Sequence, residues 1–135
     1  MNDKLLYLKQ NIFEAKEYTL FENRDIYSLK NELTKIAEKH FFTIETYRKN
    51  ARKYLKYKNK IPFYFSPKLL LFSVKTKCDE NYFINFFSIY KICYETKVVI
   101  IFENGNILKL DVSKKIILSE LNKIKNILKY IENLL

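Results

Sequence analysis

Apolar positions change their period along this chain, and the changes divide it into elements. Behind Ser28, which suits a helix N-cap, Leu29, Leu33 and Ile36 recur at helical spacing and Ala37 suits an interior position, so Ser28 to Lys39 predicts a helix. Phe41 to Ile44 is a short apolar and β-branched run. Leu5 to Phe21 follows neither period, although Glu17 to Phe21 fits a short strand. From Ile61 the pattern becomes β-like. Ile61 to Phe65 is strand-like, and Pro62 and Pro67 at its ends suit a sheet edge. Leu69 to Val74 is a continuous apolar run, short enough for a buried strand. Tyr82 to Cys93 is a second, broken by Asn85, Ser88 and Lys91. Val98 to Phe102 and Ile107 to Val112 flank Glu103-Asn104-Gly105-Asn106. An Asn-Gly pair in that position predicts a hairpin with a type I′ turn, because both residues tolerate positive φ. Leu108, Leu110 and Val112 alternate with Lys109 and Asp111, as in a half-buried strand.

From Ser113 the period returns to helical. Ile117, Leu121, Ile124, Leu128, Ile131 and Leu135 form one apolar stripe along a long amphipathic helix. The stripe serves as core against a sheet or as a dimer seam. No repeat or linker interrupts the pattern. The expectation is an α+β fold in a single domain, residues 1–135: an N-terminal helix, antiparallel strands and a long C-terminal helix.

Charge adds a function class. The chain has 25 basic and 15 acidic side chains, a formal net charge of +10. Lysine-rich, alanine-poor composition suits an AT-rich genome, so total charge says little; its distribution says more. Residues 1–46 carry 7 basic and 8 acidic groups, and residues 61–135 carry 11 and 7. Residues 47–60 carry 7 basic groups and no acidic one. That segment holds Arg48, Lys49, Asn50, Arg52, Lys53, Lys56, Lys58 and Lys60, interleaved with Tyr47, Tyr54 and Tyr57. Basic groups neutralise phosphates and release condensed counterions, while Tyr and Asn add phosphate or sugar contacts. In a helix Arg48 and Arg52 are neighbours on one face, as are Lys49 and Lys53. Nucleic acid is therefore the expected partner, with duplex DNA as the first reading. A small basic RNA- or ribosome-associated protein, with bases stacked on Tyr54 and Tyr57, is the second. A protein partner on the terminal stripe is the third.

Other chemistry is poorly represented. His40, the lone histidine, sits at the expected helix end. Neither Cys78 nor Cys93 has zinc spacing or a histidine close in sequence, so two reduced thiols are expected and no metal. Asp79-Glu80 reads as a solvated turn. One glycine in the chain leaves no phosphate-cradling P-loop. No enzyme activity and no cofactor are expected. Met1 to Gln10 mixes charged and apolar residues unlike an export signal, and no apolar run reaches the length of a membrane span. The expected location is cytoplasmic.

Residues from His40 to Leu128 resemble the ComK family of competence transcription factors. The resemblance lies in Phe41-Phe42, Tyr47, the Arg48-Lys49 step and Tyr54. It continues through Lys60-Ile61-Pro62-Phe63-Tyr64-Phe65-Ser66-Pro67 and Leu69 to Phe72. Ser73, Cys78, Phe83-Ile84, Val99 to Phe102, Asn104-Gly105, Leu110 and Ser113 follow in order. The chain departs from that pattern in lacking a glycine beside Arg48-Lys49 and a histidine within Asn85 to Ser88, in a shortened N-terminal part and in lacking a basic C-terminal tail. The resemblance implies binding to AT-rich promoter DNA through the minor groove and activation of DNA-uptake genes. It also implies assembly as dimers or higher oligomers and control by an adaptor that delivers the protein to a protease. On this view Arg48, Lys49 and Arg52 lie nearest the groove, and Lys53, Lys56, Lys58 and Lys60 lie on phosphates.

Overall fold

The computed structural model describes residues 4–57 and 60–134. Three strands precede the first helix: β1 (Leu5–Gln10), β2 (Ala15–Thr19) and β3 (Asn23–Asp25). Then come α1 (Leu29–Lys39), α2 (Ile44–Leu55), β4 (Phe63–Ser66), β5 (Leu69–Lys75) and β6 (Asn81–Asn85). A single 3-10 turn, Phe86–Ser88, leads to β7 (Ile89–Tyr94), β8 (Val98–Phe102), β9 (Ile107–Leu110) and α3 (Lys114–Leu134). The fold is α+β, and every strand pairing is antiparallel. One sheet has the order β3-β2-β1-β6-β5-β4, and the other β7-β8-β9.

The larger sheet is covered on both faces. Leu29, Leu33, Ile36 and Ala37 of α1 pack with Leu5, Leu8, Phe63, Phe65, Leu69 and Leu71 on one side. On the other side Leu70, Phe72, Val74 and Ile84 meet Val98, Ile100, Phe102, Leu108 and Leu110 of the smaller sheet, with Ile117 and Ile124 of α3. Two covered faces explain why Leu69 to Phe72 is apolar and buried at every position: no face is left for water there. The stripe on α3 is therefore core. Ile117 and Ile124 are fully buried, Leu121, Leu128 and Ile131 half-buried, and Ile127 joins them. The chain's own core takes up this face, against the smaller and larger sheets and, at Ile131, against Ala51 of α2. Leu135 lies outside the described residues.

Three further expectations change. Leu5 to Phe21 forms a hairpin of two strands. Its period was obscured by a bulge: Leu5 pairs with Thr19 but Tyr7 with Tyr18, so Leu6 and Tyr7 both turn toward the α3 side. Phe41-Phe42 is a helix stop. Ser28 caps α1 at its start, its hydroxyl accepting from the Asn31 amide at 3.0 Å. At the other end Phe41 takes φ +64°, its amide bonds the Glu38 carbonyl at 3.1 Å, and that of Phe42 bonds Ala37 at 3.1 Å. These are Schellman bonds with phenylalanine where glycine is usual. The turn of the β8–β9 hairpin is a three-residue loop. Gly105 alone is left-handed (φ +88°), and its amide returns to Phe102 at 2.9 Å. Asn104 does not share the positive φ of a type I′ turn; its side-chain oxygen accepts from the Asn106 amide at 3.1 Å.

One buried polar group joins the layers. The β1–β6 ladder begins at Tyr7 and Ile84, so the Leu5 carbonyl lies beyond it. Asn85, fully buried, donates to that carbonyl at 2.9 Å and to the Lys68 carbonyl at 3.2 Å, and accepts from the Leu70 amide at 3.1 Å. Ser88 donates to the Leu5 carbonyl at 2.7 Å.

Asn85→Ala orphans the Lys68 carbonyl and the Leu70 amide and is expected to lower stability by about 3 kcal/mol. Phe41→Gly relieves a left-handed non-glycine residue and is expected to raise it by about 1 kcal/mol. Urea unfolding at unchanged m-value checks both, and opposite signs would refute these assignments.

Candidate nucleic-acid interface

The basic segment is mostly a helix. α2 starts at Thr43, whose hydroxyl accepts from the Thr46 amide at 3.1 Å, and ends where Lys56 takes φ +64°. Its inner side is narrow. Ala51 is buried against Ile61 and Ile127, with Tyr47, Leu55 and Tyr57 packed around them. At about 100° per residue, Arg48, Arg52, Lys49 and Lys53 follow one another within an arc of about 140° on the outer side, and Lys56 follows them at the left-handed C-cap. All five are exposed, as is Asn50 beyond the arc. Among the described residues none of the five, nor Lys60, forms an ion pair. The one acid on the arc is Glu45, in the first turn, where a helix favours negative charge.

Two tyrosines of the segment hold the helix in place. The Tyr47 hydroxyl donates to the Pro62 carbonyl at 2.8 Å and accepts from the Tyr64 amide at 2.9 Å. Its ring lies 5.2 Å from that of Phe63. Burial pushes its phenol up from 10.0 to about 12, against the opposing pull of the Tyr64 amide. The expected phosphate contact by Tyr47 is corrected: its hydroxyl is spent on β4. Tyr57 is corrected as a stacking platform, because it is packed against Ala51 and Ile61 and accepts from the Asn126 side chain at 2.8 Å. Tyr54 stays 54% exposed, with the Lys53 ammonium 5.2 Å from its ring centre.

Lys60 returns to α2 through the fold. It takes φ +50°, and its carbonyl accepts from Lys123 of α3 at 3.3 Å. Lys123 also bonds Glu120 at 2.9 Å. Glu120 is buried with its other carboxylate oxygen unpartnered, and burial raises its carboxyl while Lys123 opposes the rise. Arg48, Arg52 and Lys60 thus meet at a recess of about 230 Å³ with Ile61, Phe63, Ser73 and Phe83. The recess adjoins a groove of about 890 Å³ between α1 and α2, lined by Lys30, Lys75, Glu38 and Glu45 among others. Sequence reasoning missed Ser73, Phe83 and Lys123, which come together only in the tertiary fold. Lys58 lies outside the described residues.

The remaining candidates are structural. His40 Nδ1 donates to the Ile36 carbonyl at 2.8 Å, at the end of α1. Cys78 and Cys93 are free thiols. Among the described residues no three His, Cys, Asp or Glu side chains converge as a metal-binding group, and no helix is long and apolar enough to cross a membrane. No protein-family model, curated protein or solved structure matches the chain.

Tyr47→Phe keeps the ring and removes both hydroxyl bonds. It is expected to cost about 2 kcal/mol and to speed exchange of the Tyr64 amide proton. A phenol raised in the folded state stabilises below pH 10 and loses that contribution as pH rises through about 12. The difference between wild type and Tyr47→Phe should therefore shrink across this window in alkaline unfolding curves. An unchanged amide exchange rate would show that the clamp is absent.

Proposed function

We propose that this chain binds duplex DNA by laying the outer face of α2 on the phosphate backbone. One observation carries the reading: four cations share an arc of α2, with Lys56 at its C-cap and Lys60 beside them, and no carboxylate pairs with any of the six among the described residues. Like charges at i,i+4 (Arg48 with Arg52, Lys49 with Lys53) destabilise a helix by about 0.2–0.5 kcal/mol each. A polyanion relieves that repulsion and gains the entropy of released counterions. The target we propose is AT-rich promoter DNA contacted in the minor groove, with transcriptional activation of DNA-uptake genes as the outcome. Support for this narrower reading comes from the resemblance of residues 40–128 to the ComK family. It also fits the affinity of Arg and Lys for the narrow, strongly negative groove of A-tracts. The exposed Tyr54 ring favours single-stranded RNA as the second reading, through base stacking.

Fluorescence anisotropy with an A/T-run duplex, a mixed-sequence duplex and single-stranded RNA separates the readings. Six phosphate contacts give a slope of log affinity against log salt of roughly −5. Arg52→Ala is expected to weaken the A/T-run site about tenfold and the mixed duplex less. Lys56→Ala should weaken both alike and reduce the slope by about one unit. Undiminished duplex binding after neutralising Arg48, Lys49, Arg52, Lys53, Lys56 and Lys60 together would refute the proposal, and preference for RNA abolished by Tyr54→Ala would favour the second reading.

A further inference from the structure

We propose that the recess beneath Arg48, Arg52 and Lys60 is a seat for one phosphoryl group, set apart from the flat basic face around it. The idea rests on the nucleic-acid reading for the source of the phosphate. Its walls come from different parts of the fold. Ser73 and Phe83 are cross-strand partners on β5 and β6, and Phe63 stands on β4 beside them. Phe63 and Phe83 belong to the sheet face that α1 covers, and Ser73 shares a groove with that helix. The Arg48 guanidinium carbon lies 5.6 Å from the centre of the Phe63 ring, which is itself buried. Stacking of this kind fixes the plane of the guanidinium and orders its donor fork before any ligand arrives. Arg52 stands one helical turn away, Lys60 closes the rim with its backbone held by Lys123, and Ser73 supplies a hydroxyl.

Size and surroundings favour a small anion. A volume of about 230 Å³ falls below the roughly 300 Å³ at which ordinary small-molecule pockets begin. It still leaves space for a tetrahedral anion with several waters at about 30 Å³ each. Ile61, Phe63 and Phe83 supply apolar parts of the floor beside three cations that attract one anion. Lys49, Lys53 and Lys56, farther round α2, have no such floor.

The phosphate has two sources: a terminal monoester or an internal diester of a nucleic-acid strand. Amide-resolved NMR of the full chain, titrated with inorganic phosphate at constant ionic strength, tests the seat. The expected result is saturable shifts concentrated at Arg48, Arg52, Lys60, Phe63, Ser73 and Phe83. Arg52→Gln should raise the midpoint about tenfold. Ser73→Ala should raise it about threefold. Lys97→Gln, in the turn between β7 and β8, should leave it unchanged. Non-saturating shifts spread over every lysine-rich surface, or the same shifts with chloride, would overturn the proposal. Short duplexes with and without a 5′-phosphate then assign the source. Tighter binding of the phosphorylated duplex, lost in Ser73→Ala, assigns the monoester. Equal binding with shifts at Ser73 and Phe83 assigns the diester. Duplex binding without shifts at Ser73 and Phe83 overturns the seat and leaves the DNA reading standing, whereas phosphate binding without duplex binding does the reverse.

Discussion

The fold turns on one buried amide. Asn85 stands where β6 ends and the chain crosses to the second sheet, and its side chain reaches the backbone of β1, the β4–β5 turn and β5. It also meets Ser88 at 3.0 Å, and Ser88 shares the Leu5 carbonyl with it. The β1–β6 ladder stops at Tyr7 and Ile84 and leaves the Leu5 carbonyl outside it, and a buried carbonyl without a donor costs about 1–3 kcal/mol. A buried, fully satisfied amide rather than an apolar side chain at position 85 therefore sets the register of β1 on β6 and fixes where the second layer begins.

With the register fixed, apolar surface is distributed over three small cores, and what remains decides how α2 is presented. α1 and α3 each give a broad face to the large sheet. α2 gives buried Ala51 with half-buried Ile44, Tyr47 and Leu55, and attaches through the Tyr47 hydroxyl to β4. A helix so shallowly anchored has most of its circumference in water. The cations toward its C-terminal end are favoured by the helix dipole, which partly offsets their mutual repulsion. Glu120 and Lys123 extend this support from α3 to the Lys60 carbonyl. The basic face is thus held by specific bonds on its inner side, while its outer side carries unpaired charge.

Elements defined by local chemistry were legible before the structure. Ser28, the helical spacing behind it, the Asn-Gly hairpin and the α3 stripe each act within a few residues. The apolar run of β5 was legible because both its faces are covered. The β1–β2 hairpin was not, because a bulge removes the two-residue period on which recognition of a strand depends. Phe41-Phe42 misled for a different reason: an aromatic in the left-handed region ends a helix against the usual preference for glycine. In the basic segment the residue types were legible and their roles were not. Tyr47, Asn50 and Arg48 look alike as hydrogen-bonding partners for phosphate, yet one is an anchor, one lies beyond the arc and one stacks on Phe63. Nothing local distinguishes them, since Pro62, Tyr64 and Phe63 approach α2 only after the sheet forms.

The absence of glycine beside Arg48-Lys49 has a structural reason as well. These residues lie in the middle of α2, where a glycine costs roughly 0.5–1 kcal/mol relative to alanine. A helix held on one side by a single hydroxyl clamp and a small apolar contact has little stability to lose. The pattern that the ComK resemblance leads one to expect would suit a backbone that approaches DNA closely at a flexible point. This chain instead has an unbroken helix with long cationic side chains, so under the proposed function the reach toward a phosphate would come from arginine and lysine stems. The presentation of that surface depends on the residues that hold α2 (Tyr47, Ala51 and the Thr43 cap), none of which belongs to the proposed contact face.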